Sequence, residues 1–198
     1  MKSKLVEILA VMAGVIMFSI SAWADDVTDS INEALEYYKD GAYTEAVGSL
    51  NYASQLIQQK KGEKLESFLP KPLDGWKAED ASSQAVGAAM MGGGLSAERS
   101  YAKGNSTIDI RIITDSPIMQ GMMMMFSNPM LAASDGGKLQ KIGRQKAIVQ
   151  YDAANKSGDI NVVVANRFLV TIEGDDVKEA ELKAYAKAID YDKLSELP

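Results

Sequence analysis

The spacing of hydrophobic residues changes along this chain, and the change constrains the fold more than any other feature. Between residues 31 and 57, apolar residues recur every third or fourth position, which is the spacing of one face of an α-helix. After Trp76 the period becomes two, as in Ile108 and Ile110, and this indicates half-buried β-strands. The sequence therefore predicts an α+β protein, in which an N-terminal helical hairpin precedes a mostly antiparallel sheet domain with a mid-chain helix and a C-terminal helix.

Two helices are predicted over residues 26–61, and Gly41 marks the turn between them. Each helix carries an apolar stripe that we expect to be its buried face. The stripes consist of Ile31, Ala34, Leu35 and Tyr38 in the first helix, and of Ala46, Val47, Leu50, Ala53 and Ile57 in the second. Residues 60–66 are polar and are interpreted as a linker. The helical domain is therefore placed at residues 25–66 and the sheet domain at residues 67–198.

Strands are predicted wherever the period-two pattern is clear, with turn residues such as Gly104 and Asn105 between them. The predicted strands cover residues 96–103, 106–114, 138–142, 146–152, 160–165 and 168–173, with a further one near residues 85–91. The C-terminal helix follows, and Asp176 and Glu179 have the spacing of a capping box at its start.

Residues 1–24 have the layout of a cleaved secretory signal. Lys2 and Lys4 are positive, residues 8–20 carry no charge, and Ala22 and Ala24 are the small residues that a signal peptidase reads. The uncharged run is shorter than the ~20 residues that a membrane helix needs, although a retained anchor is the alternative interpretation. We expect cleavage after Ala24, export to the periplasm and no membrane anchor afterwards.

Composition removes several classes of function. The chain has no cysteine and no histidine, which excludes disulfides, thiol nucleophiles, histidine bases and the usual zinc sites. Its net charge of −6 and the lack of a basic patch argue against a nucleic-acid partner. We therefore expect neither enzymatic activity nor a cofactor. A hydrolase that works with two carboxylates remains the enzymatic alternative, and it requires two close acidic groups, one with a raised pKa.

Six of the chain's 11 methionines lie between residues 119 and 130. Pro117 opens a helix there, and Asn128 with Pro129 ends it. In that helix Ile118, Met122, Met125 and Phe126 share one face at helical spacing. Met123 and Met124 point elsewhere, so the helix is apolar on nearly every side.

Three interpretations of this methionine cluster remain open. Flexible thioethers fill irregular gaps in a core, and they also form adaptable surfaces for a partner or an apolar ligand. Thioethers select soft ions such as Cu(I), too. The residues with suitable spacing to share such an ion are Met119 with Met123 and Met122 with Met125.

The run Gly92, Gly93 and Gly94 is the second unusual feature. Three glycines carry a high conformational entropy, so the site calls for a positive φ or a close backbone approach. We expect a hairpin tip, or a flap near the methionine helix. The candidate partner surface consists of Met123, Met124, Met130, Gly92, Gly93 and Gly94.

Two parts of the chain resemble known families. The small and aromatic residues Ala34, Tyr37, Gly41, Tyr43, Ala46, Leu50 and Ala53 resemble a single tetratricopeptide-type helical hairpin over residues 34–53. Gly75 and Trp76, followed by hairpin strands, a helix, more strands and a last helix, resemble the PsbP-like fold over residues 68–190. The latter resemblance implies an accessory or binding module rather than an enzyme.

The sequence thus favours an exported, non-enzymatic binding or assembly protein with a protein partner, which uses the methionine helix as its contact surface. The alternative is a carrier of Cu(I) or of a small apolar ligand.

Overall fold

The computed structural model describes residues 25–85, 94–114, 116–134 and 136–197, and it confirms the α+β class. The helices are α1 (Asp26–Lys39), α2 (Tyr43–Glu66), α3 (Ile118–Ser127), α4 (Pro129–Ser134), α5 (Glu179–Ala188) and α6 (Tyr191–Ser195). The strands are β1 (Lys77–Ala78), β2 (Ser82–Ala85), β3 (Leu95–Lys103), β4 (Ser106–Thr114), β5 (Lys138–Ile142), β6 (Gln145–Asp152), β7 (Ser157–Val164) and β8 (Phe168–Asp175). Among the described residues, none of these helices combines the length and hydropathy needed to cross a bilayer.

The contacts divide the chain into two compact units, residues 1–53 and residues 54–198, and the division falls inside α2. The linker predicted at residues 60–66 is wrong, because α2 continues to Glu66. Lysine and glutamate, which make up most of residues 60–66, are good helix formers, so a polar composition alone does not end a helix. Leu65 near the end of α2 is buried in the core of the second unit.

In the first unit, α1 and the start of α2 form an antiparallel pair, which we call the helix pair. Gly41 has a φ of +77°, as the tight turn between the helices requires. The Ser49 hydroxyl of α2 donates a hydrogen bond to Glu33 Oε2 of α1 over 2.8 Å. Both residues lie about two helical turns from the connection, so the bond shows that the helices run back along each other.

The second unit is built on one sheet with the strand order β1-β3-β4-β8-β7-β6-β5, and β2 also pairs with β3. The pairs are all antiparallel. The strands predicted over residues 106–114 and 138–142 are confirmed with identical bounds. Ala85, the last residue of β2, pairs with Leu95, the first residue of β3. Of the strand predicted near residues 85–91, only Ala85 is described, and residues 86–91 lie outside the described residues.

One face of the sheet, which we call the core face, carries the main hydrophobic core. Ile110, Ile172 and Ile160 stand side by side on β4, β8 and β7, and all three are fully buried. Helices α5 and α6 cover this face. Tyr185 of α5 packs edge-on against Trp76 at 5.4 Å and contacts the Tyr101 ring at 4.6 Å between centroids.

The start of α5 differs from the prediction. Its N-cap is Lys178, whose backbone N–H donates to the Glu181 carboxylate over 3.1 Å. Asp176 adopts a φ of +49° and forms an ion pair with Lys156 instead of capping the helix. The capping box is therefore absent at Asp176 and Glu179, because the chain makes a tight turn there before the helix begins.

The opposite face of the sheet, which we call the reverse face, is divided into two halves. At one end it carries the buried apolar residues Ile113, Leu169 and Ile148. At the other end it is polar, with Asp109 and Glu173 on neighbouring strands. Helix α3 packs on β6 and β7.

Candidate functional site

The methionine-rich segment, residues 118–130, consists of α3 and the first turn of α4. Met119 is its buried anchor, with 6% of its surface exposed. By register, Ile113, Leu169 and Ile148 provide the buried apolar area on the side of the sheet that α3 covers. This segment therefore adds a small second core on the reverse face, separate from the main core.

The predicted packing face of this helix is wrong. Ile118 is exposed, and Met122, Met125 and Phe126 are only half-buried. The buried position is one residue later, at Met119, which turns the helix by about 100° from the predicted orientation. Met119 is the one buried residue of α3, and the other side chains of this helix lie partly or largely in solvent.

The candidate contact residues divide by exposure. Met124 is 64% exposed, Met130 is 81% exposed, and Met123 is half-buried. The Asn128 side chain accepts a hydrogen bond from the Met130 N–H over 3.1 Å, which fixes the bend between α3 and α4. Residues 116–134 carry no charged side chain, so Met124 and Met130 lie in an uncharged segment of the chain.

The Cu(I) interpretation named Met119, Met122, Met123 and Met125. Met119 is buried against the sheet. Met122, Met123 and Met125 are half-exposed on the same helix. The prediction of a soft-metal carrier stays a prediction. Among the described residues, no group of three or more carboxylates forms a metal site of the oxygen-ligand type.

Of the glycine run, Gly92 and Gly93 lie outside the described residues. Gly94 has a φ of +125°, a conformation that only glycine adopts without strain. This value confirms the expectation of a positive φ at one of the three positions. It follows that Gly94 serves the backbone turn that leads into β3.

A second apolar surface lies on the helix pair, where the predicted burial is wrong for most of the stripe. Small residues carry the packing, since Ala34, Ala46 and Ala53 are 3–5% exposed. The large side chains are 44–64% exposed. We call this set the helix-pair face; it consists of Ile31, Leu35, Tyr38, Tyr43, Val47 and Leu50. The Tyr38 and Tyr43 rings meet at 5.7 Å across the turn, so the face continues from one helix to the other.

The sequence pattern assigned these six residues to the buried side or to a family resemblance, and it did not identify them as a surface. The available signal was the regular succession of a small residue and a large one, as in Ala34 with Leu35 and Ala46 with Val47. Small residues allow two helices to approach closely, and the large neighbours are then turned about 100° away from the contact.

The polar half of the reverse face brings three carboxylates into one row. Asp109, Glu173 and Asp159 stand directly opposite one another on β4, β8 and β7. Burial, and then the negative charge of Glu173, raise the pKa of Asp159. Asn161 donates to Asp159 over 2.6 Å and accepts from Thr171 over 2.8 Å, so the Asp159 side chain is held in place.

The surroundings of this row are open and polar. A shallow depression of about 180 Å³ runs over β3, β4 and β8, and Glu173, Asp109 and Arg111 are among its lining residues. Arg111 pairs with Glu98 at 3.2 Å, and Ser100 donates a hydrogen bond to Asp109. Paired carboxylates with unequal pKa values are the chemical requirement of an acid-base hydrolase. The row places Asp159, whose pKa is raised, opposite a second carboxylate, Glu173, and it lies on an open sheet face.

A small, mostly apolar cavity in the second unit bears on the ligand-carrier alternative. Leu65, Leu95, Phe168 and Leu197 form much of its wall, and its volume is about 60 Å³. Sites for drug-sized ligands typically have about 300–1,000 Å³. This cavity holds a few waters or a small alkyl group, and it does not enclose a lipid-sized molecule.

No protein-family model matches the chain, and no curated protein or solved structure is significantly similar to it. The tetratricopeptide-type and PsbP-like resemblances therefore stay predictions. The exposed apolar surfaces and the carboxylate row are the features of the molecule that bear on its function.

Proposed function

We propose that this chain is an exported, non-enzymatic binding protein, and that it contacts a protein partner through the methionine-rich segment. In this proposal residues 1–24 direct export to the periplasm and are removed after Ala24. The helical hairpin then precedes the sheet domain, and α3 is the element that presents the contact residues.

The exposure of Met124 and Met130 on an uncharged segment is the observation that supports this function. Large contiguous apolar patches are rare on soluble monomeric domains, and they commonly mark interaction sites. Methionine suits such a surface because its flexible, polarizable side chain adapts to the shape of a partner. Met119 of the same segment is buried, whereas Met124 and Met130 remain accessible to a partner.

A site-specific photo-crosslinker tests the contact in the intact cell compartment. We expect a probe at Met124 to form a discrete adduct with one protein, and a probe at the exposed turn residue Ala154 to form none. Intact mass measurement of the same protein should show a chain that begins at Asp25. An equal yield of adducts at both positions would contradict the proposal.

Substitution separates contact from packing. For this test the crosslinking probe is placed at Met123. We expect Met124→Ser combined with Met130→Ser to abolish the adduct at that probe. The free energy of unfolding should change by less than about 0.5 kcal/mol. Met119→Ala is the matched control, and it should cost about 2 kcal/mol because it opens a cavity against the sheet. If the double variant unfolds like the control, the methionines are core and the proposal fails.

The carboxylate row favours a second candidate function, a hydrolase that uses Asp159 as general acid and Glu173 as the second carboxylate. The observation behind it is the raised pKa of Asp159 beside Glu173. A panel of glycoside and ester substrates tests it. Turnover that is lost in Asp159→Asn and retained in Asp175→Asn would favour the hydrolase, and no turnover by the native protein would dismiss it.

A further inference from the structure

The helix-pair face has the spacing of a helix-bundle seam. Ile31, Leu35 and Tyr38 follow one another at i, i+4 and i+7 on α1, and Tyr43, Val47 and Leu50 do so on α2. Steps of four and three residues keep side chains in line along a straight contact between helices. Each helix therefore offers a complete two-turn seam in addition to the contact that it makes within the pair.

Both seams lie on the same side of the helix pair. On α1 the seam residue Leu35 directly follows the buried Ala34 in the sequence. On α2 the seam residue Val47 follows the buried Ala46 in the same way. One residue is a rotation of about 100° in the direction of the chain. Because the two helices run in opposite directions and face each other, equal rotations bring both seams to one side.

The charges lie on the other side. The exposed carboxylates of α1 recur at steps of three and four residues, opposite the seam on the helical wheel; they are Asp26, Asp29, Glu33, Glu36 and Asp40. The positions that flank the seams are mostly uncharged, for example Thr28, Asn32 and Asn51, with Lys39 near the turn. A basic partner would thus find no carboxylates beside the apolar face with which to pair. A second copy of the chain would meet no row of like charges there, so the flanks do not oppose its binding.

The area suits a stable contact. Each of the six side chains exposes about half of its surface, and a large side chain offers about 150–250 Å², so the face presents on the order of 600 Å². Two copies would together bury roughly 1,200 Å², the lower limit of a standard specific interface. The carboxylates on the opposite side stay solvated, which favours a closed pair over open-ended aggregation.

We propose that the helix-pair face joins two copies of this chain about a two-fold axis, so that the two helix pairs form a four-helix bundle. The contact does not use the methionine-rich segment, and it stands or falls independently of the proposed function. Each copy contributes both seams, and the residues of one α1 and α2 pack between those of the other.

Sedimentation equilibrium of the protein purified from the exported compartment tests this pairing. We expect a concentration-dependent dimer and no larger species. Leu50→Glu should weaken dimerization on the order of 100-fold, because the two-fold axis places two buried charges in one interface. Leu35→Glu on the other helix should have a similar effect, while Tyr52→Glu, which adds the same charge on the side of α2 opposite the seam, should leave the dimer intact.

Circular dichroism and thermal unfolding of each variant, measured below the dissociation constant, establish that the monomer still folds. A native protein that is monomeric up to millimolar concentration would overturn the proposal. So would a dimer that Leu50→Glu and Leu35→Glu leave unchanged. A probe at Leu50 that crosslinks only to a different protein would also overturn it.

Discussion

The helix pair and the sheet unit use large and small hydrophobic residues in opposite ways. In the sheet unit Ile110 and Ile172 are buried completely, and α5 and α6 cover them. In the helix pair Ala34 and Ala46 are buried, and large side chains such as Leu50 remain about half-exposed. A periodic apolar stripe therefore identifies an amphipathic element. Whether that stripe is buried depends on which other elements of the chain pack against it.

Truncating one large side chain in each region tests the comparison most strongly. Ile110→Ala should lower the free energy of unfolding by about 3 kcal/mol, because the removed atoms leave a cavity in a packed core. Leu50→Ala should change it by less than about 0.5 kcal/mol when measured at a concentration where the chain is monomeric. Urea denaturation of both variants provides the measurement. Similar losses at the two positions would mean that the helix-pair face is covered within the chain.

Enlarging a small buried residue sharpens the comparison from the other side. Ala46→Leu should destabilise the protein by about 1–3 kcal/mol, since the added methyl groups force α1 and α2 apart. Thr44→Leu is the matched control on an exposed position of the same helix, and its effect should stay within about 0.5 kcal/mol. Thermal unfolding followed by circular dichroism distinguishes the two. A harmless Ala46→Leu would show that the helices are not in close contact.

The smallest expected effect concerns the polar half of the reverse face. The pKa of Asp159 is raised when the protein is folded, so the folded state holds this proton more tightly than the unfolded state. The contribution of this group to stability is therefore greatest in acid, and it declines as the pH rises from the ordinary carboxyl range through the folded pKa.

Asp159→Asn removes that decline. We expect it to stabilise the protein at pH 7 by about 0.5 kcal/mol, the scale of like charges placed opposite each other in a sheet, and to have little effect at pH 3. Denaturant unfolding at both pH values is the measurement, with Asp175→Asn as the control because Asp175 stands opposite the uncharged Thr107. A loss of stability at pH 7 would show that the Asp159 charge is favourable where it lies.

The sequence predicts the fold well where local pattern decides the structure. Alternation from residue 106 to residue 114 located β4 with its bounds, because a strand with one covered face needs an apolar residue at every second position. Prediction failed where tertiary contacts decide. The polar residues 60–66 continue α2 because their intrinsic preference is helical and Leu65 has a place in the core.

The candidate sites followed the same rule. The charge-free methionine helix was visible in the sequence, but the burial of Met119 rather than Ile118 depends on how the helix packs on the sheet, which is a tertiary contact. Asp159 and Glu173 face each other across the hairpin of β7 and β8, whose strands the sequence predicted. Asp109 was not predictable as their neighbour, because β4 joins β8 only through the strand order of the sheet. The helix-pair face was misassigned because its spacing equals that of a buried stripe.

Hydroxyl-radical footprinting at low and high protein concentration tests the central claim most directly, since it reports which side chains solvent reaches. At nanomolar concentration we predict rapid oxidation of Tyr38, Tyr43 and Leu50, and none of Tyr101 or Tyr185 in the core of the sheet unit. At high concentration the first three should become protected while the other two stay unreactive. If Tyr38, Tyr43 and Leu50 are unreactive even in the most dilute sample, the chain covers its own helix pair and the account is contradicted.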